Sequence, residues 1–156
     1  MKNLRWSHIG LCVSDLDRSL RFYGDGLGCQ RAERFELDGN QIPGLAEALE
    51  VTAPAVVVSQ MITHGALRIE LLGWETPKPE GEPPVHRNRL GLTHLSFFVD
   101  DVEAVAERLV SFGGTVLPET RQTPGVDLVF LADPDGTRVE LMARADPSGA
   151  AGRIFP

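Results

Sequence analysis

Four side chains of the 156-residue chain combine chemically useful types with repeated placement: His8, Glu70, His94 and Glu140. His8 lies in SHIGLCVSDLDRSL and His94 in THLSFFVDDVEAVA, 86 residues further on; Glu70 lies in LRIELL and Glu140 in TRVELM, 70 residues further on. Two neutral imidazoles and two carboxylates offer two nitrogens, two oxygens and a double negative charge, which balances a divalent cation. Imidazole with carboxylate and no thiolate suits Zn²⁺, Ni²⁺, Co²⁺, Mn²⁺ or Fe²⁺. On a six-coordinate ion four such ligands leave two positions for water or substrate, whereas all four around a tetrahedral Zn²⁺ make a closed, structural site. Separations of 62, 24 and 46 residues form no local motif, so the specificity comes from a His-then-Glu pair recurring in both halves. Taken singly, such a His or Glu is more often a surface residue on a half-exposed sheet; the duplicated pair favours the metal.

The elements that position these residues also repeat, and two separate matches in the same order indicate an internal duplication. Each half reads β-α-β-β-β, an α+β fold. In the first, Trp6–Val13 alternates as a strand with Trp6, His8, Gly10 and Cys12 on one face and Ile9, Leu11 and Val13 on the other. Ser14-Asp15-Leu16-Asp17 supplies a helix N-cap, Leu16, Leu20 and Tyr23 follow at helical spacing, and Gly24, Gly26 and Gly28 end the helix. Strands are expected at Cys29–Leu37, Ala55–Ile62 and Leu67–Trp74, with a turn at Thr63-His64-Gly65. In the second half the expected elements are a strand at Leu92–Val99, a helix at Asp101–Phe112, and strands at Thr115–Pro118, Val126–Ala132 and Thr137–Ala143. Period two then turns Arg68, Glu70 and Leu72, and likewise Arg138, Glu140 and Met142, away from the apolar residues that pack on the helices. The first half carries extra residues within 38–50, where GLAEALE can add a short helix. One domain is expected: a first module at about 5–75, a Pro-rich linker or lid at 76–91, a second module at about 92–144 and a loose polar tail at 145–156.

Composition narrows the function classes. Apolar residues make up 42% and charged residues 24%, ordinary globular values, and this length suffices to bury about two-thirds of the unfolded surface. A net charge of −7, from 15 basic and 22 acidic residues, argues against nucleic-acid or anionic-membrane binding. No stretch approaches the roughly 20 apolar residues of a membrane span, and the first residues do not read as a signal peptide, so a cytoplasmic chain is expected. Cys12 and Cys29, both in apolar segments, read as free buried thiols. Arg68 and Arg138 sit two residues before a glutamate on its face and can hold a substrate carboxylate or phosphate, or be solvated at strand ends. Trp6, Phe98, Met61 and Met142 line a cavity or pack in the core. Arg87 and Arg89 of the linker can reach over the site, while His64 and His86 read as surface residues.

The stretches SHIGLCVSDLDRSLRFYGDGLG, LRIELLGWE, LTHLSFFVDDVEAVAERL and FLADPDGTRVELM, covering most of residues 5–143, resemble the vicinal oxygen chelate superfamily. That group includes glyoxalase I, methylmalonyl-CoA epimerase, extradiol dioxygenases, and fosfomycin and bleomycin resistance proteins. The resemblance implies paired βαβββ modules whose strands curl into a cup-shaped mixed sheet, helices outside, around one divalent metal ion. It assigns His8, Glu70, His94 and Glu140 as the ligands. The set is most similar to that of glyoxalase I and the epimerase. It implies proton transfer next to a metal-chelated carbonyl through an enediolate, with Glu140 as first choice of base and Glu70 its counterpart. Extradiol chemistry on Fe²⁺ through His8, His94 and Glu140 is the enzymatic alternative; a non-catalytic drug- or metabolite-binding protein is the other. The implied partners are a small molecule with vicinal oxygens and a second copy of the chain.

Overall fold

The computed structural model describes residues 4–122 and 126–143. The chain divides into two units, Met1–Gly81 and Glu82–Pro156, and each builds its own four-stranded mixed sheet. In the first unit, β1 (Ile9–Val13), β2 (Gln30–Asp38), β3 (Val56–His64) and β4 (Leu67–Thr76) stand in the order β1-β4-β3-β2. β1 runs parallel to β4 and the other neighbours are antiparallel. The second unit repeats this with β5 (Leu95–Val99), β6 (Thr115–Leu117), β7 (Leu128–Ala132) and β8 (Arg138–Ala143) in the order β5-β8-β7-β6, β5 parallel to β8. The duplication and the βαβββ order thus hold in three dimensions.

The helix starts are duplicated to the level of single atoms. Asp15 caps α1 (Leu16–Leu20) in an extended conformation (φ −142°, ψ 106°), and its Oδ1 accepts the Arg18 N–H at 2.9 Å. Asp101 caps α3 (Val102–Ser111) in the same way (φ −138°, ψ 104°), accepting from Ala104 N–H at 2.9 Å. Each cap satisfies one of the N–H groups that a helix start leaves orphaned. After one turn α1 widens into a π-helical turn over Arg21–Gly26, with Phe22 and Tyr23 wholly buried and their rings edge-to-face at 5.0 Å.

Register decides which side chains face the helices. Ile69 and Leu71 on β4 are wholly buried, and a methyl group at Gly73, next on that face, would stand only 2.9 Å from Leu16 Cβ. Gly73 is therefore the contact at which α1 lies against the sheet. The odd residues of β1 pair with this set, Ile9 with Ile69 and Val13 with Gly73, while Gly10 pairs with Glu70 on the opposite face. In the second unit Val139 and Leu141 are wholly buried, while Ser96, Glu140 and Phe130 lie abreast on the other face. β2, the edge strand, is mostly exposed and carries Arg31, Glu33, Arg34 and Glu36, charges that discourage edge-to-edge pairing.

Several boundaries differ from the expectations. β1 begins at Ile9 and β5 at Leu95, so His8 and His94 stand just before their strands and not within them. The alternation of Trp6–Val13 continues further back than the ladder, which needs a partner strand as well as a pattern. β3 runs through His64, which pairs with Leu67, so the hairpin tip is Gly65-Ala66 and not Thr63-His64-Gly65. The last β7 register begins at Leu128, and the tail expected beyond 144 lies outside the described residues. The extra segment of the first unit does contain a helical turn, α2 (Leu45–Ala48), entered through Gly44 in the left-handed region at φ 78°. Leu45, Ala46 and Ala55 form a small buried cluster there, against which Leu37, Leu49, Val51 and Trp74 pack.

Candidate metal centre

In the first unit, Ser7 Oγ lies 2.9 Å from His8 Nδ1, and His8 Nε2 lies 3.2 Å from Glu70 Oε2. Glu70 reaches this position because β4 turns its neighbours Ile69 and Leu71 into the core. Its second oxygen, Oε1, accepts a short hydrogen bond from Ser59 Oγ on β3 at 2.5 Å. On the other side the neighbour is Gly10, where an added Cβ would stand 3.8 Å from Oε2. The carboxylate is thus held by both oxygens, in a half-buried setting where an unpartnered charge would be costly.

The second unit repeats the motif with one change. Thr93 Oγ1 lies 2.8 Å from His94 Nδ1, and His94 Nε2 lies 3.5 Å from Glu140 Oε2. Glu140 is more buried than Glu70, with its side chain 12% exposed against 21%. Here the serine comes from the opposite neighbour: Ser96 on β5, register partner of Glu140, donates to Oε2 at 2.6 Å. The position equivalent to Ser96 is Gly10 in the first unit, and the position equivalent to Ser59 is Leu128 in the second. Phe130, also abreast of Glu140, sets its ring edge-to-face against His94 at 5.1 Å, and the Arg87 guanidinium lies 4.6 Å over the Phe130 ring.

The donor chemistry fits a divalent ion. In the tautomer in which the hydroxyl accepts from Nδ1–H, Nε2 would offer its lone pair to an ion, the arrangement that second-sphere partners give metal-binding histidines. Two ligands at about 2.1 Å from a common ion are about 3.0 Å apart at a right angle and about 3.4 Å apart at the tetrahedral angle. The observed Nε2···Oε2 separations are 3.2 Å, inside that range, and 3.5 Å, at its upper edge. Each pair supplies two ligands; among the described residues no group of three or more His, Cys, Asp or Glu side chains is close enough to hold an ion.

The remaining candidates are placed as follows. Arg68 Nη2 binds Glu33 Oε2 at 3.0 Å, and Glu33's carboxyl is held below its ordinary range by a backbone hydrogen bond and by this arginine. Arg138 donates to the Pro84 carbonyl at 2.6 Å and to the Val85 carbonyl, so it fastens the linker to its own unit. Phe98 is 60% exposed on the Glu140 face, beside half-buried Met142; Trp6 is 69% exposed, and Met61 is buried abreast of Glu70. His64 and His86 are exposed. Of the cysteines, Cys29 is buried, and burial pushes its thiol up to about 11. Cys12 is exposed, contrary to expectation, because it shares the glutamate-bearing face with Gly10 and not the helix-packed face. Ser7, Thr93, Ser59 and Ser96 are absent from the sequence-derived set. The dipeptides Ser7-His8 and Thr93-His94 recur at the same offset and signal the first two; Ser59 and Ser96 become visible only through strand register.

Two βαβββ units, each entering on a hydroxyl–histidine dipeptide and closing on a strand glutamate that meets the imidazole, define a tandem protein of the vicinal oxygen chelate type. The chain belongs to the Glyoxalase/Bleomycin resistance protein/Dioxygenase superfamily, whose model matches residues 5–141. It is 29% identical to lactoylglutathione lyase of Haemophilus influenzae over 93% of this chain and 96% of that protein. It is also 29% identical to 2-epi-5-epi-valiolone epimerase of an Actinomyces species, over 92% of this chain and 80% of that protein. Against lactoylglutathione lyase of Schizosaccharomyces pombe the identity is 24% over 94% of this chain, which spans about half (49%) of that protein's length. Among solved structures, a glyoxalase family protein from Bacillus cereus superposes with a TM-score of 0.75 at 24% identity, covering 92% of this chain and 95% of that one. The fosfomycin resistance protein FosX of Listeria monocytogenes, solved with Mn(II) and sulfate, superposes with a TM-score of 0.57 at 17% identity over 92% of this chain and 93% of that one. Among the described residues no helix is long and apolar enough to cross a membrane.

Proposed function

We propose that this chain is a divalent-metal-dependent lyase or isomerase of the glyoxalase I and epimerase type, which moves a proton on the carbon next to a carbonyl of a small substrate with vicinal oxygens. The observation that carries this reading is the duplicated arrangement in which a hydroxyl takes each histidine's Nδ1 and its Nε2 meets a strand glutamate. The lyase and epimerase names of the relatives, each at 29% identity, support it. His8, Glu70, His94 and Glu140 are the proposed ligands, and the ion, when bound, acts as a Lewis acid on the substrate's carbonyl oxygen.

The proton chemistry belongs to the glutamates, and their surroundings divide the work. Glu70 is tied through both oxygens, Oε1 to Ser59 and Oε2 to His8, which suits a fixed ligand. Glu140 gives the same oxygen, Oε2, to Ser96 and His94, and its Oε1 carries no hydrogen bond among the described residues. That oxygen is free to accept the proton as general base. The same reading takes the chain as a cytoplasmic homodimer acting on small molecules and not on nucleic acid or membranes. The test is NMR detection of solvent deuterium entering α-hydroxyketones and glutathione hemithioacetals with Mn(II)-, Ni(II)- or Zn(II)-loaded protein. Exchange that falls by about 10²–10⁴ in Glu140→Gln supports the proposal. No exchange, with oxygen uptake on catechols by Fe(II)-loaded protein instead, overturns it.

A further inference from the structure

The first unit carries a cleft of about 340 Å³, within the size range of small-molecule sites, walled by Cys12, Val51, Thr52, Trp74, Lys78 and Glu80. Cys12 pairs with Leu72, so by alternation Cys12 and Trp74 share the face that carries Gly10 and Glu70. Trp74 lies four residues beyond Glu70, about 13 Å along the strand. We infer that this cleft is a subsite for an uncharged aromatic or branched apolar substituent of the substrate. The inference rests on the proposed metal reading, which places the substrate's vicinal oxygens at the His8–Glu70 end of the same face.

Three features support that assignment. The wall formed by Val51 is built on a packed cluster, since Leu45, Ala46 and Ala55 pack with Leu49, Val51 and Trp74. A cleft with such a wall keeps its shape before ligand arrives, which lowers the ordering cost of binding. That wall lies in the connection between β2 and β3, which is longer than the connection between β6 and β7, and among the described residues the second unit has no α-helical counterpart of α2 there. One substituent of the substrate is therefore read once, by one unit. The lining also fixes the ligand's chemistry: Trp74, Val51, Pro77 and Pro79 give apolar surface, and a tryptophan ring is a broad stacking platform. Lys78 is the single cation of the lining, which also includes two carboxylates, Glu50 and Glu80. A diphosphate or a dicarboxylate, which needs an excess of cations, is disfavoured there. A glutathione-type carrier, with its two carboxylates, would have to leave its charged ends outside this cleft.

The test has two arms. N-phenyl-1-naphthylamine, a neutral fluorescent probe, is titrated into the metal-free protein; saturable binding at one site per chain is expected. Thr52→Trp and Cys12→Phe, which fill the cleft from two sides at exposed positions, should each weaken it by about tenfold or more. In the Mn(II)-loaded protein, 6-phenylhexanohydroxamate, whose vicinal oxygens chelate metal, should bind about tenfold more tightly than acetohydroxamate, and both variants should abolish that gain. Non-saturable probe binding, or binding unchanged in both variants, overturns the subsite even where Mn(II) binds normally. Equal affinity for the two hydroxamates overturns its link to the substrate. Failure of the protein to bind Mn(II) at all, with probe binding intact, overturns the metal reading instead, and with it the substrate role of the cleft.

Discussion

Exchange of the serine that holds Glu70 tests how each glutamate is kept ready for the metal. Ser59 is 3% exposed, and its hydroxyl donates to Glu70 Oε1 at 2.5 Å. Ser59→Ala removes that bond and frees the carboxylate to rotate away from His8. Loss of an outer partner of a metal ligand costs about 10–100-fold in metal affinity, or about 1.4–2.7 kcal/mol. The other unit shows how to restore it, because Ser96 holds Glu140 from the parallel neighbour strand, at the position that is Gly10 in the first unit. A Cβ at Gly10 would lie 3.8 Å from Glu70 Oε2, within one further bond of a hydrogen-bonding hydroxyl. Gly10→Ser in the Ser59→Ala background should therefore recover most of the lost affinity, with the first unit rebuilt in the second unit's pattern. Mn(II) titration followed by electron paramagnetic resonance reads the affinity, and circular dichroism confirms the fold. An unchanged affinity in Ser59→Ala would refute the reasoning; a loss that Gly10→Ser leaves untouched would refute the equivalence of the two serines.

Three further outcomes are expected. Gly73→Ala forces a methyl against Leu16 Cβ at 2.9 Å and should destabilise the protein by about 1–3 kcal/mol, lowering Tm by roughly 2–12 °C in calorimetry; an unchanged Tm would mean that α1 does not press on the sheet there. At pH 8, N-ethylmaleimide should label exposed Cys12 and spare Cys29, read by peptide mass spectrometry. Because Cys29 is raised from 9.0 to about 11, its stabilising share is intact below pH 9 and fades as pH climbs through 11, so Cys29→Ala should flatten the alkaline limb of the stability curve between those values. Arg138→Ala releases the Pro84 and Val85 carbonyls and should speed tryptic cleavage at Arg87 and Arg89 by about tenfold, the worth of one charged hydrogen bond at the low end; unchanged cleavage would mean that the linker is held by other contacts.

What is legible in the sequence is what local pattern encodes. The two helices and the two faces of the LRIELL and TRVELM strands follow from spacing of a few residues, and the structure keeps them; the cap of α1 falls on Asp15 within Ser14-Asp15-Leu16-Asp17, and Asp101 takes the same role for α3. The repeat brings out His8, Glu70, His94 and Glu140 together because both members of the pair recur in order. Strand ends are less legible: alternation continues back to Trp6, but the ladder starts at Ile9↔Ile69, and Thr63 and His64 pair with Arg68 and Leu67 where turn-forming types mislead. Cys12 reads as buried from its apolar neighbours, yet the period that turns Val13 inward turns Cys12 outward. Ser59 and Ser96 reach their glutamates from β3 and β5, 11 and 44 residues away, through register that no single strand's sequence contains. Arg68 and Arg138, read as anion holders or as solvated strand-end residues, are taken up by Glu33 and by the linker carbonyl of Pro84, 35 and 54 residues away.

The central proposal, that the two His–Glu pairs are the ligands of one divalent ion, is tested most directly by metal stoichiometry. The chain dialysed against Mn(II) should hold one ion, counted by mass spectrometry of the metal. His8→Ala, Glu70→Gln, His94→Ala and Glu140→Gln should each weaken binding by more than about 100-fold, beyond what an outer-partner change costs. Full retention of the ion in the variants of either pair would contradict it.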